Sequence, residues 1–355
     1  MKTVHTFLLS IYLLWILAGC VSAAPSTPLE TVPSTRISPP VTLSPVVTPT
    51  FSLQQLNVGV PITSDNAGQV ELLSTTAEAG SRVWTMAFSG DGIYFAWKDQ
   101  NSLNVEELAG GIPDFTFSLP EMDLNSFAFS PDSRLLASAQ TIWDIQSQQV
   151  LHKLSSHGRL HPAFSADGAW LAVSGVQPIQ IWDVASGQLV RTFDTTADID
   201  SFSLAFSPDG MLLADSGHNG RITFWDIASG REVRTFGRDA AANDVHDIAF
   251  SPDGRLLVSV GTDSIVRLWG VADGQLLNAM FHNNGLYGVA FSPDGRLVAS
   301  ASCDRTVKLW EVASGRLMNT LRHADEVTSV VFSPDGALLA SSGYDQKIYF
   351  WGIPR

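Results

Sequence analysis

Several histidine and aspartate side chains of this chain are of the types that bind metals or transfer protons. His218 lies near Asp215, and His246 lies between Asp244 and Asp247. An imidazole beside a carboxylate can serve as a metal ligand or as a general base. The spacing matches no known catalytic motif, since Gly-x-Ser-x-Gly, His-Glu-x-x-His, Cys-x-x-Cys and phosphate-binding glycine loops are all missing from the sequence. We therefore expect no catalysis, no metal site and no cofactor.

The chain is acidic, with a formal net charge of -14. This charge argues against nucleic acid and anionic lipid headgroups as ligands. Acidic residues recur around the histidines, but no Asp-x-Asp-x-Asp-Gly spacing supports a calcium site, and we expect a solvated acidic rim. These residues are Asp194, Asp198, Asp200, Asp239, Asp244 and Asp247.

The framework that must position such side chains is built from a repeated sequence unit. The phrase Phe-Ser-Pro-Asp-Gly, or a close variant, occurs seven times, and most repeats then reach a Trp followed by Asp, Glu or Gly. The steps between the Phe residues are 41, 35, 42, 44, 41 and 41 residues. A period near forty indicates units that stack, because one unit cannot bury its own apolar face. The anchors are Phe88, Phe129, Phe164, Phe206, Phe250, Phe291 and Phe332.

Within a unit the pattern is that of β-strands. In the sixth unit, apolar or β-branched stretches at 289–291, 297–301 and 307–310 are separated by turn residues. Ser-Pro-Asp-Gly suits a tight turn, because Pro presets its φ angle and Gly accepts a positive one. The sequence therefore predicts an all-β fold with four short antiparallel strands per unit.

The unit endings carry a family resemblance. Ile142-Trp143-Asp144-Ile145, Ile181-Trp182-Asp183-Val184 and Phe224-Trp225-Asp226-Ile227 resemble WD-repeat proteins, whose units are the blades of a β-propeller. The resemblance implies a seven-bladed WD-repeat β-propeller over residues 66–355. It also implies a buried, structural hydrogen-bond tetrad in each of the two best-matching blades. The tetrads are His282, Ser300, Asp304 and Trp310 in the sixth blade, and His323, Ser341, Asp345 and Trp351 in the seventh.

Other units depart from the family pattern. The fifth has Ala241 in place of the His, and the fourth has Asn219 in place of the Asp. The first has Glu106-Glu107 where Trp-Asp is expected, and the second is five residues short before its Trp, so its inner hairpin must be clipped. Because the apolar alternation persists, we interpret these units as degenerate blades.

The two ends of the repeat region are predicted to meet. The chain stops at Trp351–Arg355, in the third strand of the seventh blade, and residues 68–76 resemble the outer-strand segment 315–321. We predict that this N-terminal strand completes the last blade and removes an exposed strand edge. Residues 51–65 form a lead-in segment, either as a short helical turn or as chain lying along the ring.

The first residues resemble a targeting signal. Lys2 and His5 precede an apolar run over 7–18, which is short for a membrane span and suits a secretory signal. The ending Leu-Ala-Gly-Cys resembles the bacterial lipoprotein signal, which implies a signal peptide over 1–19 and lipid attachment at Cys20. An uncleaved anchor or an ordinary signal peptide is the alternative. This resemblance implies an extracytoplasmic protein, at the cell surface or in the periplasm.

The segment 20–50 follows the proposed lipid site. Residues 21–50 contain seven Pro and eleven Ser or Thr, a composition that forms no core and is typical of a disordered, extended tether. Cys303 is the second cysteine of the chain and has no disulfide partner if Cys20 carries lipid. We expect Cys303 to fill buried space, with an exposed, reactive or metal-binding thiol as the alternative.

The mouth of the ring offers candidate binding residues. In WD-repeat proteins the residue four before the Phe anchor usually points toward the top mouth, where partners dock. Tyr344 adds another aromatic side chain there, and aromatic residues are common interface anchors. Packing of Trp84 and Phe202 into blade faces is the alternative. In blade order the position holds Trp84, Asn125, Leu160, Phe202, His246, Tyr287 and Thr328.

The sequence thus favours a non-enzymatic protein–protein interaction module, a monomeric scaffold displayed on the outer side of a bacterial membrane. Its expected partner is another protein or peptide, bound by the aromatic residues of the mouth and His246. One alternative is a propeller hydrolase or lyase that uses histidines and carboxylates at the top mouth. Another is a chaperone-like lipoprotein of envelope assembly.

Overall fold

A computed structural model describes much of the chain. No helix in this part is long and apolar enough to cross a membrane. The predicted signal peptide, the lipid site at Cys20, the tether and the first part of the lead-in segment lie outside the described residues. The described ranges are 59–76, 81–100, 102–108, 115–118, 126–138, 140–155, 161–174, 178–193, 201–237 and 243–355.

Within these ranges the chain forms seven four-stranded antiparallel sheets, each of which is one blade. In every blade the strand that leads to the Phe anchor is the inner strand, and the inner strands of successive blades contact one another around a closed ring. The predicted all-β, seven-bladed propeller is confirmed. Two short 3-10 turns, Ala67–Gln69 and His218–Gly220, complete the described elements.

The first three blades lie between residues 85 and 193. Blade 1 comprises β2 (Thr85–Phe88), β3 (Tyr94–Lys98), β4 (Ser102–Glu107) and β5 (Phe115–Ser118). Blade 2 comprises β6 (Phe127–Phe129), β7 (Leu135–Ser138), β8 (Thr141–Asp144) and β9 (Gln149–Lys153). Blade 3 comprises β10 (His161–Phe164), β11 (Trp170–Ser174), β12 (Ile179–Asp183) and β13 (Gln188–Phe193).

The remaining four blades include the one that uses the N-terminal strand. Blade 4 comprises β14 (Ser201–Phe206), β15 (Leu212–Gly217), β16 (Ile222–Asp226) and β17 (Glu232–Phe236). Blade 5 comprises β18 (Val245–Phe250), β19 (Leu256–Gly261), β20 (Ile265–Gly270) and β21 (Leu276–Phe281). Blade 6 comprises β22 (Leu286–Phe291), β23 (Leu297–Ser302), β24 (Thr306–Glu311) and β25 (Leu317–Arg322). Blade 7 comprises β26 (Val327–Phe332), β27 (Leu338–Gly343), β28 (Ile348–Gly352) and β1 (Glu71–Thr75).

The Ser-Pro-Asp-Gly phrase forms the turn between the first two strands of a blade. In blade 6, the Ser292 hydroxyl donates to Asp294 at 2.6 Å and accepts the N–H of Leu297 at 2.9 Å. Gly295 has a φ of 71°, a left-handed conformation that a side chain disfavours. These bonds and the glycine fix the turn locally, which explains why the phrase recurs with the blade period.

The core lies between neighbouring blades. The second strands of blades 6 and 7 are buried along their whole length, because another blade covers each of their faces. Val266 of blade 5, for example, belongs to the same buried cluster as Leu286, Val298 and Trp310 of blade 6. Each such side chain contributes roughly 1.5–3 kcal/mol on burial, so the ring is stabilised by inter-blade packing.

The N-terminal strand closes the ring, as predicted. β1 pairs antiparallel with β28, and Leu72 lies opposite Trp351. The 3-10 turn before β1 is also held, since the Asn319 side-chain amide donates to the carbonyls of Ala67 and Val70 at 3.0 Å each. Residues 59–65 of the lead-in segment run along blade 7, where Ile62 is 2% exposed.

The degenerate units are complete blades. In blade 2, Ser138 pairs directly with Thr141, so the hairpin between β7 and β8 is the part of the blade that is shortened. In blade 1, Glu106 lies opposite Phe95, the register that Trp310 has opposite Val298 in blade 6. The strand pairing therefore survives the loss of the Trp.

We predict that Gly343→Ala destabilises blade 7. A Cβ at this position would lie 1.9 Å from the Glu326 carbonyl oxygen, so the backbone must shift. The expected cost is roughly 1–3 kcal/mol, measured as a lower midpoint of urea unfolding. Gly68→Ala is the matched control, since its nearest atom would be 3.7 Å away. Equal midpoints for the two variants would contradict the tight packing.

Candidate functional site

The inner strands of blades 4 to 7 each carry a β-bulge near the start. In blade 5, Val245 pairs with Gly261 and Asp247 pairs with Val260, so His246 is an extra residue on its strand. A bulge interrupts the alternation of side chains and re-aims them. Two consecutive residues therefore line the central channel in each of these blades. The extra residues of the other three are Phe202, Tyr287 and Thr328.

A cavity of about 280 Å³ lies between the inner strands. Two tiers of residues line it, and only the first was predicted from the sequence. We define the aromatic rim as Trp84, Phe202, His246, Tyr287 and Tyr344, of which all but Tyr344 line the cavity. We define the channel ring as the residues three before each Phe anchor, which all line the cavity. The channel ring is Thr85, Ser126, His161, Ser203, Asp247, Gly288 and Ser329.

One half of the aromatic rim is a row of packed rings. Phe202 lies edge-on to His218 at 4.6 Å and to His246 at 5.8 Å between ring centroids. His246 stacks on Tyr287 at 5.0 Å with an interplanar angle of 5°. The His246 Nδ1 is 3.0 Å from the Leu286 carbonyl oxygen, and burial lowers the pKa of this imidazole. His246 is therefore a neutral, fixed ring, while Tyr287 remains 36% exposed.

The other half of the aromatic rim joins blade 7 to blade 1. Trp84 lies edge-on to Tyr344 at 5.9 Å, and the Arg82 guanidinium lies 4.1 Å from the centre of the Tyr344 ring. This is the geometry of a cation–π contact. Thr328, at the equivalent position of blade 7, is buried and donates to the Val83 carbonyl at 2.8 Å, so it is not a rim residue. Asn125 and Leu160 lie outside the described residues.

Cys303 connects the two halves. It is partly exposed and hydrogen-bonded to Tyr287 and Glu326, so the expectation of a buried space-filling side chain is wrong. The pKa of the Cys303 thiol is raised to about 11. Partial burial is the largest cause, and the nearby charge of Glu326 is the second. The thiol is therefore protonated at neutral pH and is a poor nucleophile.

The tetrad residues are joined as chains of hydrogen bonds in blades 6 and 7. In blade 6, Trp310 donates to Ser300 at 2.8 Å, Ser300 contacts the His282 Nε2 at 2.7 Å, and the His282 Nδ1 contacts Asp304 at 2.9 Å. The same order holds in blade 7, with distances of 2.7, 2.7 and 3.2 Å. The blade 7 chain runs through Trp351, Ser341, His323 and Asp345.

In blades 4 and 5 an arginine, and not a histidine, pairs with a shielded aspartate. In blade 5, the Arg267 guanidinium lies 2.5 Å from Asp263, and Trp269 still donates to Ser259 at 2.8 Å. In blade 4, Asp215 stands in the register of the tetrad serine and pairs with Arg221 at 3.3 Å. Burial raises the pKa of Asp215 to about 6. Asp215, which the sequence analysis noted as a neighbour of His218, is only 1% exposed.

The histidine–aspartate region is not arranged as a metal site. His218 pairs with Asp244 at 2.9 Å, and no group of three His, Cys, Asp or Glu side chains suited to a metal occurs in the described part of the chain. Asp247 is not a solvated rim residue, because it lies in the channel wall. The other acidic residues noted in the sequence lie outside the described ranges, namely Asp194, Asp198, Asp200 and Asp239.

Asp247 is held by three neutral donors. One carboxylate oxygen accepts the Ser203 hydroxyl of blade 4 and the N–H of Ile248, each at 2.9 Å. The other oxygen accepts the N–H of Val289 in blade 6 at 3.0 Å. Burial raises the pKa of Asp247 to about 6. This carboxylate therefore ties the inner strands of three blades together.

The seven four-stranded blades and the buried Trp–Ser–His–Asp chains of blades 6 and 7 define a WD-type β-propeller. The family model described as "WD domain, G-beta repeat" matches residues 187–226, 230–270, 274–311 and 315–352. Each match begins at the outer strand of one blade and ends at the third strand of the next. Together with the seven-bladed fold, these four matches support a WD-repeat propeller family for the chain. No curated protein matches the chain. Propellers of this family generally bind other proteins.

We predict that Ser300→Ala destabilises the protein. The change removes the acceptor of the buried Trp310 N–H and a partner of His282. Unsatisfied buried groups cost roughly 1–3 kcal/mol, which thermal or urea unfolding measures. Ser174→Ala is the matched control, because the buried Ser174 hydroxyl has no hydrogen-bond partner and should be dispensable. A loss of stability for Ser174→Ala as large as for Ser300→Ala would argue against the tetrad.

Proposed function

We propose that this chain is a non-catalytic scaffold that binds a protein or peptide partner across its aromatic rim. The observation that carries the proposal is the convergence of partly exposed aromatic side chains from blades 1, 4, 6 and 7 at one mouth of the ring. Aromatic side chains in such positions are typical anchors of protein interfaces. The rim is already ordered by ring stacking, so little conformational entropy is lost on binding.

The chemistry of the rim supports binding over catalysis. The Cys303 thiol is protonated, and His246 and His218 are engaged with Leu286 and Asp244. A thiol nucleophile is activated by a lowered pKa, whereas burial and the charge of Glu326 raise the pKa of Cys303. The proposed activity is therefore recognition of a surface or segment.

We infer further that the protein is a bacterial lipoprotein, anchored through Cys20 on the outer side of a membrane. The support is the Leu-Ala-Gly-Cys signal and the Pro- and Ser/Thr-rich composition of residues 21–50. An extended segment of this composition spans about 3 Å per residue, which gives a reach of roughly 90 Å. The aromatic rim would then meet partners that are not themselves in the bilayer.

We predict that replacing Trp84 and Tyr287 together by Ala removes partner binding. The double change deletes two anchors from opposite halves of the rim, and an anchor commonly accounts for 2 kcal/mol or more. The measurement is an affinity pull-down of the lipidated protein from solubilised membranes, with quantitative mass analysis of the co-purified proteins. We expect a stoichiometric partner with the wild type and about a tenfold or greater loss with the variant.

The control for this experiment removes exposed apolar surface elsewhere. Leu277 and Phe281 lie on the outer strand of blade 5 and are 55% and 60% exposed. Replacing both by Ala should leave partner recovery unchanged. Equal recovery with the rim variant and the wild type, in folded protein, would overturn the rim assignment.

We predict that Cys20→Ala releases the protein from membranes. The variant lacks the thiol that would carry lipid, and each acyl methylene in a bilayer contributes about 0.8 kcal/mol. The measurement is metabolic labelling with a fatty acid, combined with membrane fractionation. The wild type should be labelled and sediment with membranes, and the variant should be unlabelled. Labelled Cys20→Ala protein would contradict the lipoprotein assignment.

A further inference from the structure

Asp247 is the one carboxylate of the channel ring. The other ring residues are small, hydroxyl-bearing or imidazole side chains, and Asp247 lines the same cavity as His246 and Tyr287 of the aromatic rim. The bulge at His246 is the reason, because it turns both His246 and Asp247 toward the channel. A ligand that enters past the aromatic rim therefore reaches this carboxylate.

Asp247 differs from the other shielded aspartates of blades 4 to 7 in its partners. Its hydrogen bonds come from a hydroxyl and two backbone N–H groups, and no ion pair joins it to a cationic side chain within the described ranges. The comparable aspartates each have a basic partner. The pairs are Asp215 with Arg221, Asp244 with His218, Asp263 with Arg267, Asp304 with His282 and Asp345 with His323.

A carboxylate without a counter-charge is unfavourable where water is partly excluded. The neutral donors satisfy its lone pairs, but they do not neutralise its charge. A cation that enters the channel would be strongly attracted to Asp247, because the Coulomb attraction between opposite charges is stronger where the dielectric constant is low. The site therefore has an electrostatic requirement that a bound cationic group would satisfy.

The aromatic rim favours the same kind of ligand. Aromatic faces attract cations, and the chain itself places the Arg82 guanidinium 4.1 Å from the centre of the Tyr344 ring. Glu326 adds negative charge beside Cys303 and Tyr287, and the chain as a whole has a net charge of -14. Charge complementarity thus points to a basic partner segment.

We propose that the aromatic rim and Asp247 form a pocket for one arginine or lysine side chain of the bound polypeptide. The inference rests on the proposed rim docking and specifies its chemistry. The cavity of about 280 Å³ is at the lower limit of small-molecule pockets, which suits a single long side chain. The apolar stem of the bound side chain would pack between the side chains of the aromatic rim. Its charged head would reach Asp247 and the hydroxyl groups of the channel ring.

The first test uses the full-length wild-type protein and needs no variant. The probes are mixtures of short peptides in which one central residue is fixed as arginine, lysine, citrulline or norleucine. Citrulline matches the shape of arginine without its charge. We expect arginine and lysine mixtures to bind roughly 30-fold or more tightly than citrulline and norleucine mixtures, by fluorescence anisotropy.

Variants of the protein then test whether Asp247 is the residue that recognises the charge of the peptide side chain. Asp247→Asn should reduce the preference for arginine over citrulline to near unity. Asp253→Asn is the matched control, because it removes one charge from the exposed turn at the other end of the same strand pair. If Asp247→Asn fails to fold, Ser329→Lys provides an independent test. It leaves Asp247 in place and supplies an ammonium group within the channel ring, so arginine peptides should be excluded.

The remaining outcomes each overturn the pocket in a recognisable way. Equal binding of all four mixtures, lost in the Trp84/Tyr287 variant, would disprove the cation pocket and leave rim docking intact. No binding of any mixture would contradict rim docking and the pocket together. Binding of free guanidinium or spermidine as tight as that of arginine peptides would identify the occupant as a small cation. An unchanged arginine preference in folded Asp247→Asn would place the charge recognition elsewhere.

Discussion

The pairing of β1 with β28 is the constraint on which the ring depends. Leu72 opposite Trp351 joins the beginning of the described chain to its end. Without it, blade 7 would expose the edge of β28, and only side-chain packing between blades 7 and 1 would close the ring. An unpaired edge is a site of unwanted association. Because inner strands from all the blades line the channel, the positions of the aromatic rim and the channel ring follow from this ladder.

Within that closed ring the blades pair their shielded aspartates with basic side chains in different ways. Blades 6 and 7 use His282 and His323 to reach a carboxylate, whereas blade 5 uses Arg267 and blade 4 uses Arg221. The common requirement is that a buried charge has a partner, and the residue that meets it can vary. Asp247 stands apart from these pairs because it lies in the channel wall and is held by neutral donors, with no ion pair to a basic side chain within the described ranges.

The sequence predicted the blades well because their signals are local. The turn phrase, the strand alternation and the period together define seven units, and the resemblance of residues 68–76 to an outer strand anticipated closure. The bulges could not be predicted, because one extra residue on a strand is visible only when its partner strand is known. The channel ring, with Asp247, was missed for that reason. The exposure of Cys303 likewise depends on its contacts with Tyr287 and Glu326, which lie on other segments of the chain.

The most direct test of the account is site-specific photo-crosslinking in living cells. A photoreactive amino acid would replace Tyr287 in the aromatic rim or, in a second variant, Met211, which is 66% exposed on the turn at the opposite end of blade 4. The account predicts a discrete crosslinked protein species from position 287 and none from position 211. Crosslinking from position 211 alone would place the partner on the opposite face and contradict the rim as the docking surface.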